Sequence, residues 1–213
     1  MHSLEKYKYF NYKKGVDYTA NSLTYMIFEN IDFKSIEENV SFFRCDFRGS
    51  TFRNVNFYKN DFDRADFISC TFIECSFENV NFGRSQIKNC YFSNCNFERN
   101  IYNTNTLQIS LLENCIVSQE KIMSNIYGCK YIDCSICDCD FNRSSVDKSI
   151  FNSCKIKDTN FATLHAECIT FISCDLEKIK LGLSYLFGYL YSNTSLSNAE
   201  CLYRGKIVNE NKF

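Results

Sequence analysis

A five-residue period dominates this chain and is clearest in residues 45–82, which read CDFRGSTFRNVNFYKNDFDRADFISCTFIECSFENVNF. Phenylalanine occupies every fifth position of this stretch, and we call the apolar residue of each repeat its centre. The centres run in steps of five from Phe42 to Val117 and again from Ile126 to Leu196. All 31 of these positions are apolar, whereas a chain with 45% apolar residues would give about 14 by chance.

A period of five fits neither a straight helix nor a single flat strand. On an α-helix the centres would drift by about 140° per repeat, and on a strand they would alternate between the two faces. The chain must therefore bend at every repeat so that each centre points to a common axis. This geometry predicts a β-solenoid whose coils stack on one another.

Longer spacings indicate how many repeats make one coil. Cys75, Cys95 and Cys115 are 20 residues apart, and so are Arg44 and Arg64. Twenty residues are four repeats, so each coil has four faces. A small residue usually stands two positions before the centre, as Cys45 and Ser50 do, and we expect it to point inward at a tight corner. An Asp or Asn often follows it and favours a turn by bonding to nearby backbone.

The quoted stretch resembles the pentapeptide repeat family. The resemblance covers about residues 16–200 and implies an all-β fold, a right-handed quadrilateral β-helix, here of about eight to nine coils. Residues 1–15 would then form an N-terminal cap and residues 201–213 a C-terminal tail. The resemblance is specific for the fold but says little about activity.

Two breaks interrupt the register, near residues 34–41 and 118–125, and each step between centres there is nine residues long. Both segments are polar, so we predict that each leaves the coil as a small loop. The stretch 101–116 keeps its apolar centres but loses its Asp and Asn pattern. Loops and irregular coils are where solenoids place recognition.

The C-terminal end of the solenoid carries more apolar side chains than four inward faces can use. Residues 181–200 are therefore predicted to form either a homodimer seam or a capping cluster on a monomer. Family members that protect topoisomerases are often dimeric through this end, although they tend to finish in an apolar helix that is missing from CLYRGKIVNENKF. The candidate dimerisation residues are Leu183, Tyr185, Leu186, Phe187, Tyr189 and Tyr191.

The sequence offers little support for catalysis, and we expect neither a cofactor nor a metal. Only two histidines are present, His2 and His165, and no phosphate-binding or dinucleotide-binding motif occurs. Cys134, Cys137 and Cys139 lie close together, but the register directs Cys137 outward and the other two to different corners. Most of the 14 cysteines occupy the small inward position, which favours reduced, buried thiols over a zinc site.

The charges allow two interpretations of the outer surface. The chain has a net charge of −1, which excludes a strongly basic nucleic-acid binder and weakens an acidic DNA decoy. Acidic groups nevertheless exceed basic groups between residues 29 and 82. The charged columns are either self-compensating ladders or a partner-binding stripe. The candidate partner-binding residues are Asp46, Asp61, Asp63, Asp66, Glu78, Glu98, Gln119, Glu120 and Lys121.

Two functions follow from these observations. One is a scaffold that binds an unrelated protein partner. The other is implied by the family: a DNA mimic that binds DNA gyrase or topoisomerase IV and protects it from quinolones or peptide toxins. A continuous acidic stripe would favour the DNA mimic and a mixed surface the scaffold. The segment MHSLEKYKYF lacks the apolar stretch of a secretory signal, so we expect a cytoplasmic protein without a membrane partner.

Overall fold

The computed structural model describes residues 8–142, 144–161, 168–183, 189–198, 200–203 and 206–208. These residues form a parallel β-solenoid of about nine coils with four faces per coil. We number the faces 1 to 4 after the successive centres Phe42, Phe47, Phe52 and Phe57. The quadrilateral solenoid predicted from the five-residue period is confirmed.

Faces 3 and 4 share one sheet of 17 strands, because Met26–Asp32 and Thr51–Tyr58 each run across both faces. The other strands of face 3 are Lys8–Tyr9, Thr71–Ile73, Tyr91–Ser93, Leu111–Glu113, Lys130–Ile132, Ile150–Asn152, Ile169–Ile172 and Tyr189–Ser192. The other strands of face 4 are Ser76–Glu78, Asn96–Glu98, Ile116–Ser118, Ser135–Cys137, Lys155–Lys157, Asp175–Glu177 and Ser195–Ser197.

Faces 1 and 2 are built from two smaller sheets and from isolated bridges. The strands on face 2 are Asp66–Ile68, Gln86–Lys88, Ile101–Gln108, Lys121–Tyr127 and Ser145–Asp147, of which Ile101–Gln108 and Lys121–Tyr127 begin on face 1. The other strands on the side of face 1 are Asn160–Phe161, Lys180–Leu183, Glu200–Tyr203 and Lys206–Val208. Pairing is parallel throughout, apart from the antiparallel pair Glu200–Tyr203 and Lys206–Val208.

The centres stack into four inward columns, and aromatic rings fill the N-terminal half of them. On face 3 the Phe72 ring lies between Phe52 and Phe92, with centroid distances of 4.5 and 4.6 Å and nearly parallel planes. Neighbouring columns meet edge to face, as Phe72 and Phe77 do at 5.7 Å. These offset and perpendicular contacts are the arrangements that aromatic pairs prefer, so the core is a continuous aromatic ladder.

The second register break differs from the predicted loop. Residues 121–127 form one strand, and Ile122 is buried as the centre that follows Val117. The next centre, Ile126, comes after four residues, so this coil is 19 residues long, as the pairing of Leu112 with Tyr131 shows. The prediction that residues 118–125 leave the coil is wrong, because a single missing residue is absorbed within the strand.

The first register break lengthens one coil. Phe28 pairs with Phe52, which makes this coil 24 residues long, and the extra residues follow the 3-10 turn Phe33–Ser35. Glu38 in this segment accepts hydrogen bonds from the Tyr12 hydroxyl and the Gly15 backbone, so the excursion is tied to the N-terminal segment. That segment packs Phe10 on Phe28 at 4.3 Å and covers this end of the core.

Most corners have a left-handed residue two positions after the centre, and the residue one position later, usually small, points inward. Asn occupies the left-handed position at 54, 79, 89, 94 and 114, in keeping with its tolerance of positive φ. The inward side chains satisfy backbone groups of the preceding coil. The Ser50 hydroxyl, for example, donates to the Leu23 carbonyl at 2.7 Å, and the Cys70 thiol donates to the Phe47 carbonyl at 3.0 Å.

Three of the described centres are less buried than the period predicts. Tyr102 and Leu107 are half-buried near the register slip, and Leu196 is 45% exposed in one of the last coils. Ala166 and Leu186 lie outside the described residues. A cavity of about 50 Å³ lies inside the solenoid near the second register break, where several aliphatic centres replace phenylalanine. Its walls are apolar apart from Asn105 and Ser124.

Candidate partner-binding surface

Two of the acidic residues predicted to bind a partner on faces 1 and 2, Asp46 and Asp61, are half-buried and hydrogen-bonded. Asp46 forms an ion pair with Arg48 at 2.7 Å, and it lies beside Asp66 of the next coil. Burial, together with the Asp46 charge, raises the pKa of Asp66. Asp61 accepts hydrogen bonds from the Asp63 backbone and the Asn81 amide. These carboxylates are engaged within the protein and leave little free negative potential.

The acidic column on face 4 is neutralised by cations from two corners. Glu78 accepts from Lys34 at 2.7 Å and from Arg99 at 3.3 Å, and Arg99 also lies 2.8 Å from Glu98. Ion pairs between exposed groups contribute little stability, but they do cancel the local field. The surface here is therefore mixed in sign, as in the self-compensating ladders that the sequence allowed.

The register predicts that Asp63 points outward. The structure instead buries this residue, which is only 7% exposed. It accepts from the Arg84 backbone at 2.9 Å and from the Arg84 guanidinium at 3.1 and 2.5 Å. These bonds hold the pKa of the carboxyl below its usual value. The carboxylate lies over Gly83, where a Cβ would come within 2.2 Å of Oδ1, so glycine is required at this position.

We expect Asp63→Ala to destabilise the protein by about 2–3 kcal/mol, because it orphans the Arg84 backbone donor and removes charge-assisted bonds. Chemical denaturation at neutral pH measures the loss. Asp46→Ala is the matched control, since its pair with Arg48 is exposed to solvent, and we expect it to cost less than about 1 kcal/mol. Equal losses in the two variants would contradict the buried role of Asp63.

The predicted partner residues of the second register break have three different environments. Gln119 is an exposed corner residue with φ +55°, and Lys121 is exposed on its strand. Glu120 is 1% exposed, because it occupies the inward corner position two residues before Ile122. It accepts from the backbone and the side-chain amide of Asn100 at 2.9 and 2.8 Å. Glu120 is therefore a core residue and cannot contact a partner.

The cysteines occupy the inward corners that their spacing predicted. Cys134 and Cys139 are buried at different corners, while Cys137 is half-buried on face 4. Burial raises the pKa of the Cys129 thiol to about 11, so this thiol stays protonated near neutral pH. Among the residues that the structure describes, no three His, Cys, Asp or Glu side chains are grouped as metal ligands.

The predicted dimer seam cannot be compared with the structure. Tyr185, Leu186 and Phe187 lie outside the described residues, and so do His2 and His165. Leu183, Tyr189 and Tyr191 belong to the strands Lys180–Leu183 and Tyr189–Ser192. No helix within the described ranges has the length and apolarity that crossing a bilayer requires.

Sequence reasoning missed a group of exposed apolar side chains in the middle of the solenoid. Ile101, Ile109, Ile116 and Tyr127 are all at least 42% exposed. Between residues 26 and 100, all of which are described, no large apolar side chain is exposed to this degree. A signal was present in the sequence: Ile109 stands at the corner position that the nearest coils give to Ser69, Asn89 and Gly128.

Several solved structures are similar to this chain. HetL, a pentapeptide repeat protein involved in heterocyst differentiation regulation in the cyanobacterium Nostoc, is 14% identical, with 90% of this chain and 93% of HetL covered and a TM-score of 0.31. Full-length QnrB1, a plasmid-mediated fluoroquinolone resistance protein, is 16% identical, with coverages of 86% and 92% and a TM-score of 0.30. The catalytic domain of a GH87 alpha-1,3-glucanase is 10% identical, with coverages of 87% and 53% and a TM-score of 0.34. No curated protein matches the sequence significantly.

A family model also matches part of the sequence directly. The model described as pentapeptide repeats matches residues 61–99 in 8 copies. These residues carry the centres from Phe62 to Phe97, which the structure stacks in four columns. The same five-residue register and four-sided coil continue on both sides of the matched segment. The chain therefore contains pentapeptide repeats, which the family model matches over residues 61–99.

Proposed function

We propose that this protein is a non-catalytic scaffold that binds a protein partner through the outer faces of its solenoid. The observation that carries the proposal is the group of exposed apolar side chains at Ile101, Ile109, Ile116 and Tyr127. Ile109 and Tyr127 adjoin at one corner, whereas Ile101 lies on face 1 and Ile116 on face 4. Adjoining exposed apolar side chains mark interaction sites, while single ones are common on soluble proteins. Within the described residues the geometry gives no support for catalysis, since all the inward polar side chains except Ser85 are hydrogen-bonded at corners and the internal cavity is largely apolar.

The finer interpretation, a DNA mimic that protects DNA gyrase or topoisomerase IV, is less well supported by the charge map. A decoy of DNA must reproduce a regular array of unpaired negative charge. The columns at Asp46 and at Glu78 are instead paired with Arg48, Lys34 and Arg99. A mixed surface favours a protein-binding scaffold without DNA-like electrostatics.

A gyrase supercoiling assay with and without a quinolone tests the finer interpretation. At micromolar concentrations of the full chain, we expect neither inhibition of supercoiling nor rescue from the drug. Protection that declines with added salt would instead support the DNA mimic, because exposed charges are screened over about 8 Å at physiological ionic strength.

The scaffold itself is tested by photo-crosslinking in an extract of the source cell. A photoreactive residue is placed at position 101, 109, 116 or 127 of the full chain, and at Thr71 on the polar part of face 3 as a control. We expect one protein to be crosslinked from the apolar group and not from position 71, with identity confirmed by mass spectrometry and by a purified complex. Crosslinks equal at all sites, or none, would overturn the proposal.

A further inference from the structure

Ile109 combines two features that a folded protein normally avoids. Its φ is +49°, a left-handed conformation that β-branched residues rarely adopt, and its side chain is 56% exposed. The same corner in the neighbouring coils holds Ser69, Asn89 and Gly128, which suit this conformation. Ile109 therefore contributes neither turn preference nor core packing, and such outliers persist where function requires them.

The surroundings of Ile109 leave its side chain open and add further apolar surface. The next coil places Gly128 at this corner, and a Cβ there would be 3.9 Å from Ile109 Cγ1, so no side chain covers the isoleucine. Tyr127, 42% exposed, lies immediately beside it, since its carbonyl accepts from the Ile109 backbone at 2.9 Å. Leu111 follows on face 3 and is half-buried.

Lysines border this apolar surface on two faces. Lys148 lies 5.4 Å from the Tyr127 ring centroid. Lys88 lies on face 2 of the preceding coil and pairs with Gln108. Lys130 lies on face 3 of the following coil and pairs with Leu111. Both are exposed, and among the described residues neither has a carboxylate within ion-pair distance.

The nearby carboxylates are already occupied by hydroxyl donors. Glu113 accepts from the Tyr91 hydroxyl at 2.6 Å, and Asp147 accepts from the Ser145 hydroxyl at 2.5 Å. Both carboxylates keep their negative charge, and Asp147 pairs with Tyr127, so the three lysines leave the border with a small excess of positive charge around an apolar centre. This pattern complements a ligand with negative charges on either side of an apolar side chain.

We propose that Lys88, Ile109, Leu111, Tyr127, Lys130 and Lys148, the Ile109 patch, dock an acidic protein segment that inserts an apolar anchor residue beside Ile109. The proposal rests on the scaffold function above and names its partner class. A protein segment fits better than a nucleic acid, because Lys148 lies over the single exposed ring and the chain has a net charge of −1.

A random dodecapeptide library selected against the full chain provides the probe. We expect enriched peptides to combine Asp or Glu with one large apolar residue. The tightest peptide is then labelled, and its Kd is measured by fluorescence anisotropy. Ile109→Asn, which places the residue of position 89 at this corner, should weaken binding at least tenfold.

The same variant separates binding from folding. Because Asn tolerates a left-handed conformation, Ile109→Asn should unfold at a higher temperature than the wild type while binding less well. Tyr25→Asn is the matched control: it removes an exposed apolar side chain from a left-handed corner position in a distant coil, and should leave the Kd unchanged. Lys88→Glu with Lys130→Glu should also weaken binding tenfold or more, whereas Lys155→Glu on face 4 should not.

Three results would overturn the proposal. The first is a peptide whose Kd is unaffected by Ile109→Asn. The second is preferential binding of a labelled oligothymidylate that this variant abolishes, and the third is self-association in sedimentation experiments that this variant abolishes. If the scaffold crosslinks at positions 101 or 116 alone, the proposed function stands and only the Ile109 patch fails.

Discussion

Truncation of Phe72 to alanine should destabilise the protein by about 3–5 kcal/mol. The Phe72 ring is 2% exposed and stacks between Phe52 and Phe92. Adjacent coils are held together by their backbone pairing, so they cannot collapse into the space that the ring leaves. The substitution therefore costs both the transfer energy of the ring and the energy of the cavity. Urea denaturation followed by circular dichroism measures the change.

The neighbouring residue provides the control for this prediction. Ile73 lies on the same strand but points outward and is half-buried. We expect Ile73→Ala to cost less than about 1 kcal/mol, because surface substitutions seldom exceed a few tenths. A loss below 1 kcal/mol for Phe72→Ala would contradict the inward column and with it the whole register.

The core could be predicted from the sequence because the five-residue period is long and consistent. Each repeat presents one apolar centre, and the 20-residue spacing of like residues defines the coil. The structure places Phe52, Phe72 and Phe92 in one column, as this spacing requires. Local preference and long-range packing favour the same register here, which is why a single rule suffices.

The course of the chain at the second register break could not be predicted, because the break lies between two regular segments. Counting in fives from either side leaves a step of nine residues from Val117 to Ile126, which suggested a loop. Ile122 completes the coil only if one repeat has four residues, and the polar neighbours of Ile122 obscured this alternative. Parallel pairing with Ile101–Gln108 keeps the short repeat within the sheet, with a local shift of register between Asn103 and Thr106.

The environments of individual polar residues depend on contacts that the period does not contain. Asp63 follows a centre on face 1 and should point outward, but Gly83 in the next coil leaves room for its carboxylate to fold back onto Arg84. Glu120 occupies a small-residue corner because Asn100 beneath it offers two donors. Both depend on the identity of a residue 20 positions away, which becomes informative only once the coil length is known.

The buried carboxyl of Glu120 should make the protein less stable as the pH rises from about 4.5 to about 8. Burial raises the pKa of Glu120 to about 8 from its ordinary value of 4.5. Below pH 4.5 the group is protonated in both states and its contribution to stability is complete. Between these values the unfolded chain releases the proton that the folded protein retains, so the unfolding free energy falls by about 1.4 kcal/mol per pH unit. Above about pH 8 both states are ionised and the decline ends.

The total loss attributable to this group is about 4–5 kcal/mol, and Glu120→Gln isolates it. A neutral glutamine of nearly the same shape cannot ionise, so the variant should lack this decline even if it loses one of the bonds to Asn100. Denaturant midpoints measured every half unit from pH 4.5 to 8.5 for both proteins give the difference, in which the contributions of other groups cancel.

Glu98 and Tyr102 lie close enough to Glu120 to influence its charge. Glu98 raises the pKa of Glu120 in the folded protein. Glu98→Gln should therefore lower that pKa, so that the decline in stability ends at a lower pH but is still present. Parallel pH profiles for the wild type and Glu120→Gln would show that the carboxyl is not held protonated by burial.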